Sequence, residues 1–259
     1  MSTIVTLLKS NRSLYSIAKM TRDIRKFALI DGSIVPKLAA IWKVYTHTML
    51  PPARLINICE CVDEVRDLGI VGDMVECGVW SGGSMALMAL WDMRSDTGRR
   101  YHAFDSFEGL PPPTTRDNEV FDRFIANRGN KAVGISDRLE RTGICKGDGA
   151  DTVRAFFLRA GIPSERSVFH VGWFQDTVPV AAKQIDSIAV LRLDGDWYES
   201  TKVCLDNLYD LVPSCGVIII DDYGTFSGCQ TAVDEFRAKR GITSPIISVD
   251  GDCVFFRKP

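Results

Sequence analysis

Apolar residues recur at helical or strand spacing along most of this chain. Between positions 54 and 68 they fall at 55, 58, 62, 65 and 68, one face of a helix, and Gly69 then stops it. Residues 73–79 form a short apolar run bounded by glycines and read as a strand. Gly82 and Gly83 lead into a helix over 84–93. Residues 100–105, 168–171, 188–193 and 216–220 read as further strands, and 151–160, 199–211 and 229–239 as helices between them. Strands alternating with helices predict a parallel sheet covered on both faces, and the near-continuous apolar strands fit that burial.

The C-terminus breaks the rhythm. Residues 245–249 and 253–257 are strand-like, and Asp250-Gly251-Asp252 between them is a tight-turn signal. The sheet is therefore expected to hold seven strands and to end in an antiparallel hairpin. A plain dinucleotide-binding domain ends in parallel strands. This α/β pattern resembles the Rossmann-like class I methyltransferase fold. The domain is expected over 46–259, behind an N-terminal helical arm at 1–45. Residues 106–147 carry little periodicity and read as a lid or substrate loop, with a helix expected at about 118–125.

Charge changes the picture little at first. The 259 residues carry 31 Lys+Arg against 33 Asp+Glu, a net charge of −2, which argues against charge-driven nucleic-acid binding. A membrane span needs about 20 apolar residues, and the longest aliphatic run is Val217-Ile218-Ile219-Ile220. The first residues lack a signal-peptide layout, so a cytoplasmic protein is expected. The eight cysteines include no C-x-x-C pair and read as reduced, buried thiols. Lys9, Arg12, Lys19, Arg22, Arg25 and Lys26 make the arm basic. A solvated helix face or packing arm explains this more simply than a membrane surface.

The segment 76–84, ECGVWSGGS, sits between the first strand and its helix. Its glycines let the backbone turn sharply and approach a ligand, and the helix N-terminus beyond favours a carboxylate. The spacing does not match G-x-G-x-x-G, and no G-x-x-x-x-G-K-[ST] occurs. Asp105 ends the second strand, where an acid can accept hydrogen bonds from both ribose hydroxyls; a helix cap or surface charge is the alternative, and the glycine loop beside it favours the nucleoside. Glu76 could meet a cationic ammonium, which favours S-adenosylmethionine over NAD or ATP.

Three acids follow strand ends: Asp194 after 188–193, and Asp221 and Asp222 after 216–220. Ligands of open α/β sheets bind beyond such ends. Converging carboxylates repel one another unless a cation sits among them, and hard oxygen ligands suit Mg²⁺. The alternative is a set of helix N-caps. Asp196 is a weaker fourth candidate, or a cap for the helix at 199. Arg192 points away from Leu191 and Leu193, as either a surface residue or a buried ion pair.

These residues carry a resemblance. ECGVWSGGS (76–84), AFDSFEGLP (103–111), GWFQDTVP (172–179), LDGDWYEST (193–201) and IDDYGTFSGCQTAVDEF (220–236) resemble the macrocin O-methyltransferase family, in order, over roughly 46–259. The family consists of S-adenosylmethionine- and Mg²⁺-dependent enzymes that methylate sugar hydroxyls of antibiotics. By matching position, the resemblance implies that Asp194 is a metal ligand and the catalytic base, and that Asp221 and Asp222 complete the metal site. It implies that Glu76, Gly78, Val79, Trp80, Ser81, Gly82, Gly83, Ser84, Asp105, Ser106, Gly172 and Asp176 hold the cofactor, with Thr48 and Met49 nearby. The implied partner is a glycosylated natural product, and a homo-oligomer is expected. Ser81 stands where the family has a basic residue, Val171 where it has Lys, and Pro213-Ser214-Cys215-Gly216 replaces a Pro-Gly-Gly turn.

Other readings stay open at this point. His47, His102 and His170 are rivals for the base, with His102 placed inside a strand as a structural residue. A catechol-type O-methyltransferase would use similar acids on a flat phenol, with Trp173, Trp197 and Tyr223 as candidate pocket walls. A nicotinamide oxidoreductase and a cofactor-binding scaffold without turnover are the remaining classes.

Overall fold

A computed structural model describes residues 34–111, 113–117 and 146–259. The basic residues of the arm, the helix expected at 118–125 and Cys145 lie outside the described residues.

The apolar runs become β1 (Asp73–Cys77), β2 (Tyr101–Asp105), β3 (Ser167–Val171), β4 (Ile188–Leu193), β5 (Val217–Ile220), β6 (Ile247–Ser248) and β7 (Val254–Arg257). They form one seven-stranded sheet in the order β3-β2-β1-β4-β5-β7-β6. The first five are parallel, and β7 runs antiparallel between β5 and β6. The expected terminal hairpin is therefore present.

Helices cover both faces. α1 (Ile34–Val44), α2 (Pro52–Asp67), α3 (Gly83–Asp92) and α4 (Ala150–Ala160) pack on one side. α5 (Phe174–Ala181), α6 (Tyr198–Leu208) and α7 (Ser227–Arg240) pack on the other. Alternation along β5 feeds both layers, Val217 and Ile219 into the first and Ile218 and Ile220 into the second. The described cysteines are unpaired and, Cys215 excepted, buried.

Two elements differ from the sequence reading. Ile41 and Val44 of α1 belong to the same buried cluster as Leu55 and Met85, so the boundary expected at residue 45 falls inside a packed body. α5 was not expected as a helix, because it spans only eight residues and holds Pro179.

Close approach between β1 and β4 depends on Gly78, at φ +94°, where an added Cβ would lie 1.8 Å from the Asp194 carbonyl oxygen. Gly69, at φ +65°, faces open space. Gly78→Ala adds left-handed strain to overlap with fixed backbone and should destabilise by about 2–4 kcal/mol. Gly69→Ala carries the strain alone and should cost about 1 kcal/mol. Urea unfolding midpoints of the two variants, measured side by side, check the contrast.

Candidate active site

The loops leaving β1, β2, β4 and β5 open onto one cleft of about 370 Å³, a size typical of small-molecule sites. Thr48, Met49, Gly78, Val79, Trp80, Ser84, Asp105 and Ser106 line it, together with Asp194, Asp221 and Asp222.

One oxygen from each of Asp194, Asp221 and Asp222 lies within 4.8 Å of the others. These acids are not helix caps. The cap positions of α6 and α7 are Trp197 and Phe226, neither with a capping side chain. Asp117 instead accepts the first N–H of α6, from Tyr198, at 2.9 Å. Burial, then Asp196, Asp194 and Asp221, push the Asp222 carboxyl well up. Its Oδ2 is buried with no hydrogen-bond partner. Asp196, held at φ +59°, is pushed up to about 7 by burial and by Asp194. The cluster therefore has the oxygen donors and the shortage of positive charge that a divalent cation satisfies.

Arg192 resolves to a buried ion pair, its side chain 1% exposed. It is the Cα partner of Glu76 across β4 and β1. Its Nη1 donates to Glu76 Oε1 at 2.5 Å and to Asp194 Oδ2 at 2.9 Å, and its Nη2 donates to Asp221 Oδ1. Burial alone would push the guanidinium down, but Asp221, Asp194 and Glu76 hold it above its usual range. Arg54 of α2 donates to Asp221 Oδ2 at 2.7 Å and to Asp250 Oδ2 at 2.7 Å. It also pairs with Asp252 at 3.2 Å, which ties the acid to the terminal hairpin.

At the other end, Asp105 Oδ2 accepts the Trp80 N–H at 2.9 Å and Oδ1 accepts the Phe107 N–H at 2.7 Å. The Val79 N–H also bonds to this carboxyl, and the remaining lone-pair capacity is open to a ligand hydroxyl. Ser84, in the first turn of α3, puts a helix N-terminus on the cleft wall.

The structure does not bring every expected residue to the cleft wall. Glu76 is fully buried beneath it, on Arg192, and burial pushes its carboxyl up to about 7. Ser81 is buried and accepts the Asp148 N–H at 3.1 Å. Added Cβ atoms at Gly82 and Gly83 would meet Val153 and the His47 carbonyl, each at 2.5 Å, and neither glycine is on the cleft wall. Asp176 is exposed on α5, and Gly172 sits beneath Thr177. Their neighbours Trp173, Phe174 and Gln175 line the cleft instead. Sequence reasoning missed Arg54, although the Pro51-Pro52 helix start that aims it was visible.

Of the histidines, His47 lines the cleft, stacked on Phe156 at 3.8 Å. His102 is a strand residue whose Nε2 lies 3.0 Å from Asp73 Oδ2 and whose Nδ1 lies 3.0 Å from His170 Nε2. His170 stacks on Phe104 at 4.0 Å and is not among the residues that line the cleft.

A seven-stranded sheet in this order, with an acid-lined cleft at its carboxyl ends, is the architecture of a class I O-methyltransferase that uses S-adenosylmethionine. The chain belongs to the macrocin O-methyltransferase (TylF) family, whose model matches residues 36–258. It is 40% identical over 217 residues to the 8-demethyl-8-(2,3-dimethoxy-alpha-L-rhamnosyl)-tetracenomycin-C 4'-O-methyltransferase of Streptomyces olivaceus, covering 83% of this chain and 77% of that protein. It is 38% identical over 222 residues to the demethyldecarbamoylnovobiocin O-methyltransferase of Streptomyces niveus, covering 84% and 78%. The solved structure of the O-methyltransferase NovP matches with a TM-score of 0.68 at 36% identity, covering 82% of each chain. Family membership sets aside the oxidoreductase reading. Among the described residues, no helix is long and apolar enough to cross a membrane.

Burial, and then His102, lower the His170 pKa to about 4. The folded state therefore resists a proton that the unfolded chain takes up near pH 6.5. Stability should fall as pH drops from about 6.5 towards 4, and His170→Gln should flatten that part of the profile. Thermal unfolding midpoints across this range, for both proteins, provide the check.

Proposed function

We propose that the protein moves a methyl group from S-adenosylmethionine to a sugar hydroxyl on a glycosylated natural product, with Mg²⁺ held by Asp194, Asp221 and Asp222. The observation that carries this reading is the convergence of these acids, with Asp222 Oδ2 unpartnered, in the cleft that Asp105 enters from the other end. The relatives described above act, by name, on a rhamnosylated tetracenomycin and on demethyldecarbamoylnovobiocin. That supports a glycosylated acceptor here.

The residues fit distinct tasks. Asp105 would accept the ribose hydroxyls, and the first turn of α3 at Ser84 would face the cofactor carboxylate. Thr48, Met49, Gly78, Val79, Trp80 and Ser106 would enclose the rest, while Trp173 and Phe174 shield it from water. The cation would supply Lewis acidity that lowers the pKa of a neighbouring hydroxyl. Asp194, with its side chain 26% exposed to the cleft, would take the hydroxyl proton as the oxygen attacks the methyl carbon. The C–S bond breaks as the C–O bond forms, leaving S-adenosylhomocysteine. Holding the reactants in line converts a bimolecular step into a nearly unimolecular one.

A flat phenol remains the alternative acceptor, because Trp173 and Phe174 offer aromatic walls. A screen pairing rhamnosylated natural products with catechols separates the two: methylation of the catechols alone would overturn the sugar reading. EDTA should abolish methyl transfer and Mg²⁺ restore it; undiminished turnover in chelator refutes the metal role. Asp194→Asn should reduce kcat by about 10²-fold or more, with S-adenosylmethionine affinity, measured by calorimetry, nearly unchanged.

A further inference from the structure

Glu76 stands at the start of the glycine-rich loop, where an acid reads as a partner for the cofactor ammonium. Its surroundings give it a different neighbour. The side chain is fully buried, and Oε1 accepts from Arg192 at 2.5 Å. Arg192 has two terminal nitrogens and uses both: Nη1 is shared between Glu76 and Asp194 Oδ2, and Nη2 goes to Asp221 Oδ1. That arrangement ties down Oδ2 of Asp194, whose side chain lines the cleft. It also fixes Asp221 from the side opposite Arg54. The register of β1 against β4 makes Glu76 and Arg192 neighbours before any ligand binds.

We propose that Glu76 and Arg192 are a buried pair of positioning residues that orient Asp194 and Asp221, and that Glu76 does not contact the cofactor. The proposal rests on the reading of Asp194 and Asp221 as working groups of the site. A guanidinium suits the task because its planar fork spans several carboxylates at once, which a lysine ammonium cannot do in the same geometry. Residues that hold metal-site carboxylates commonly change metal affinity or activity by about 10–100-fold when altered.

The test uses the full-length protein and two conservative variants, Glu76→Gln and Arg192→Lys. S-adenosylhomocysteine is the probe for the cofactor side, since it carries the same ammonium without a transferable methyl. Calorimetric titration with S-adenosylhomocysteine should give dissociation constants within about threefold of the parent for both variants. Titration with Mg²⁺ alone should show affinity weakened by about tenfold or more, and kcat should fall with little change in acceptor KM. A tenfold or larger loss of S-adenosylhomocysteine affinity in Glu76→Gln, with Mg²⁺ affinity intact, would make Glu76 a cofactor contact and overturn the proposal. Unchanged values throughout would overturn it too, reducing the pair to a structural one. If the parent itself binds no Mg²⁺, the metal reading fails separately. The pair is then judged on kcat against S-adenosylhomocysteine affinity, where lost turnover with retained binding supports it. Should Glu76→Gln not fold, Arg192→Lys decides on the same measurements.

Discussion

The structure turns on one electrostatic constraint: carboxylates crowded at the ends of adjacent central strands must be neutralised without losing their reactivity. Glu76, Asp194, Asp196, Asp221 and Asp222 crowd one small region between the sheet and the cleft, Glu76, Asp221 and Asp222 buried in it, with Arg192 and Arg54 as their partners. In such a region an unpaired charge is expensive, and a guanidinium with well-aligned carboxylates is the compact remedy. The arginines still leave the cluster acidic. Burial, and then that residual charge, push the Asp222 and Asp196 carboxyls up.

The sheet supplies the geometry. Parallel strands β1, β4 and β5 end side by side, so the residues just beyond them face a common space. Gly78 lets the β1 turn pass against the Asp194 backbone. The antiparallel hairpin at the edge does more than close the sheet. Asp250 and Asp252 on its turn hold Arg54, and the Gly224 N–H donates to the Asp252 carbonyl at 2.7 Å, so the hairpin braces the turn that carries Asp221 and Asp222.

Much of this was legible in the sequence, because much of it is local. β4 occupies the expected residues 188–193, and Asp194, Asp221 and Asp222 were recognisable as acids immediately following buried strands. What escaped depends on contacts between distant residues. Whether Arg192 faced water or Glu76 rested on the register between strands whose paired side chains are 116 residues apart in sequence. The reasons for Gly82 and Gly83 lie in Val153 and His47, which no local motif contains. Asp196 looked like a cap by spacing, while the acid serving α6 is Asp117, 81 residues away. Pro179 concealed α5 because a short helix with an internal proline has no clear periodic signature.

Asp117 also has a bearing on how the rim of the cleft is held. It is wedged over Gly228, where an added Cβ would lie 2.0 Å from its Oδ1, and its other oxygen accepts from Thr114. Downstream, the Asp148 N–H is fastened to Ser81, and Gly147 rests against Trp80. Asp117 and Asp148 are thus each held to the rim by a backbone hydrogen bond. A side chain larger than hydrogen at 228 or 147 would therefore disturb the rim beside Tyr198 and Trp80 first, and the carboxylates below only through it.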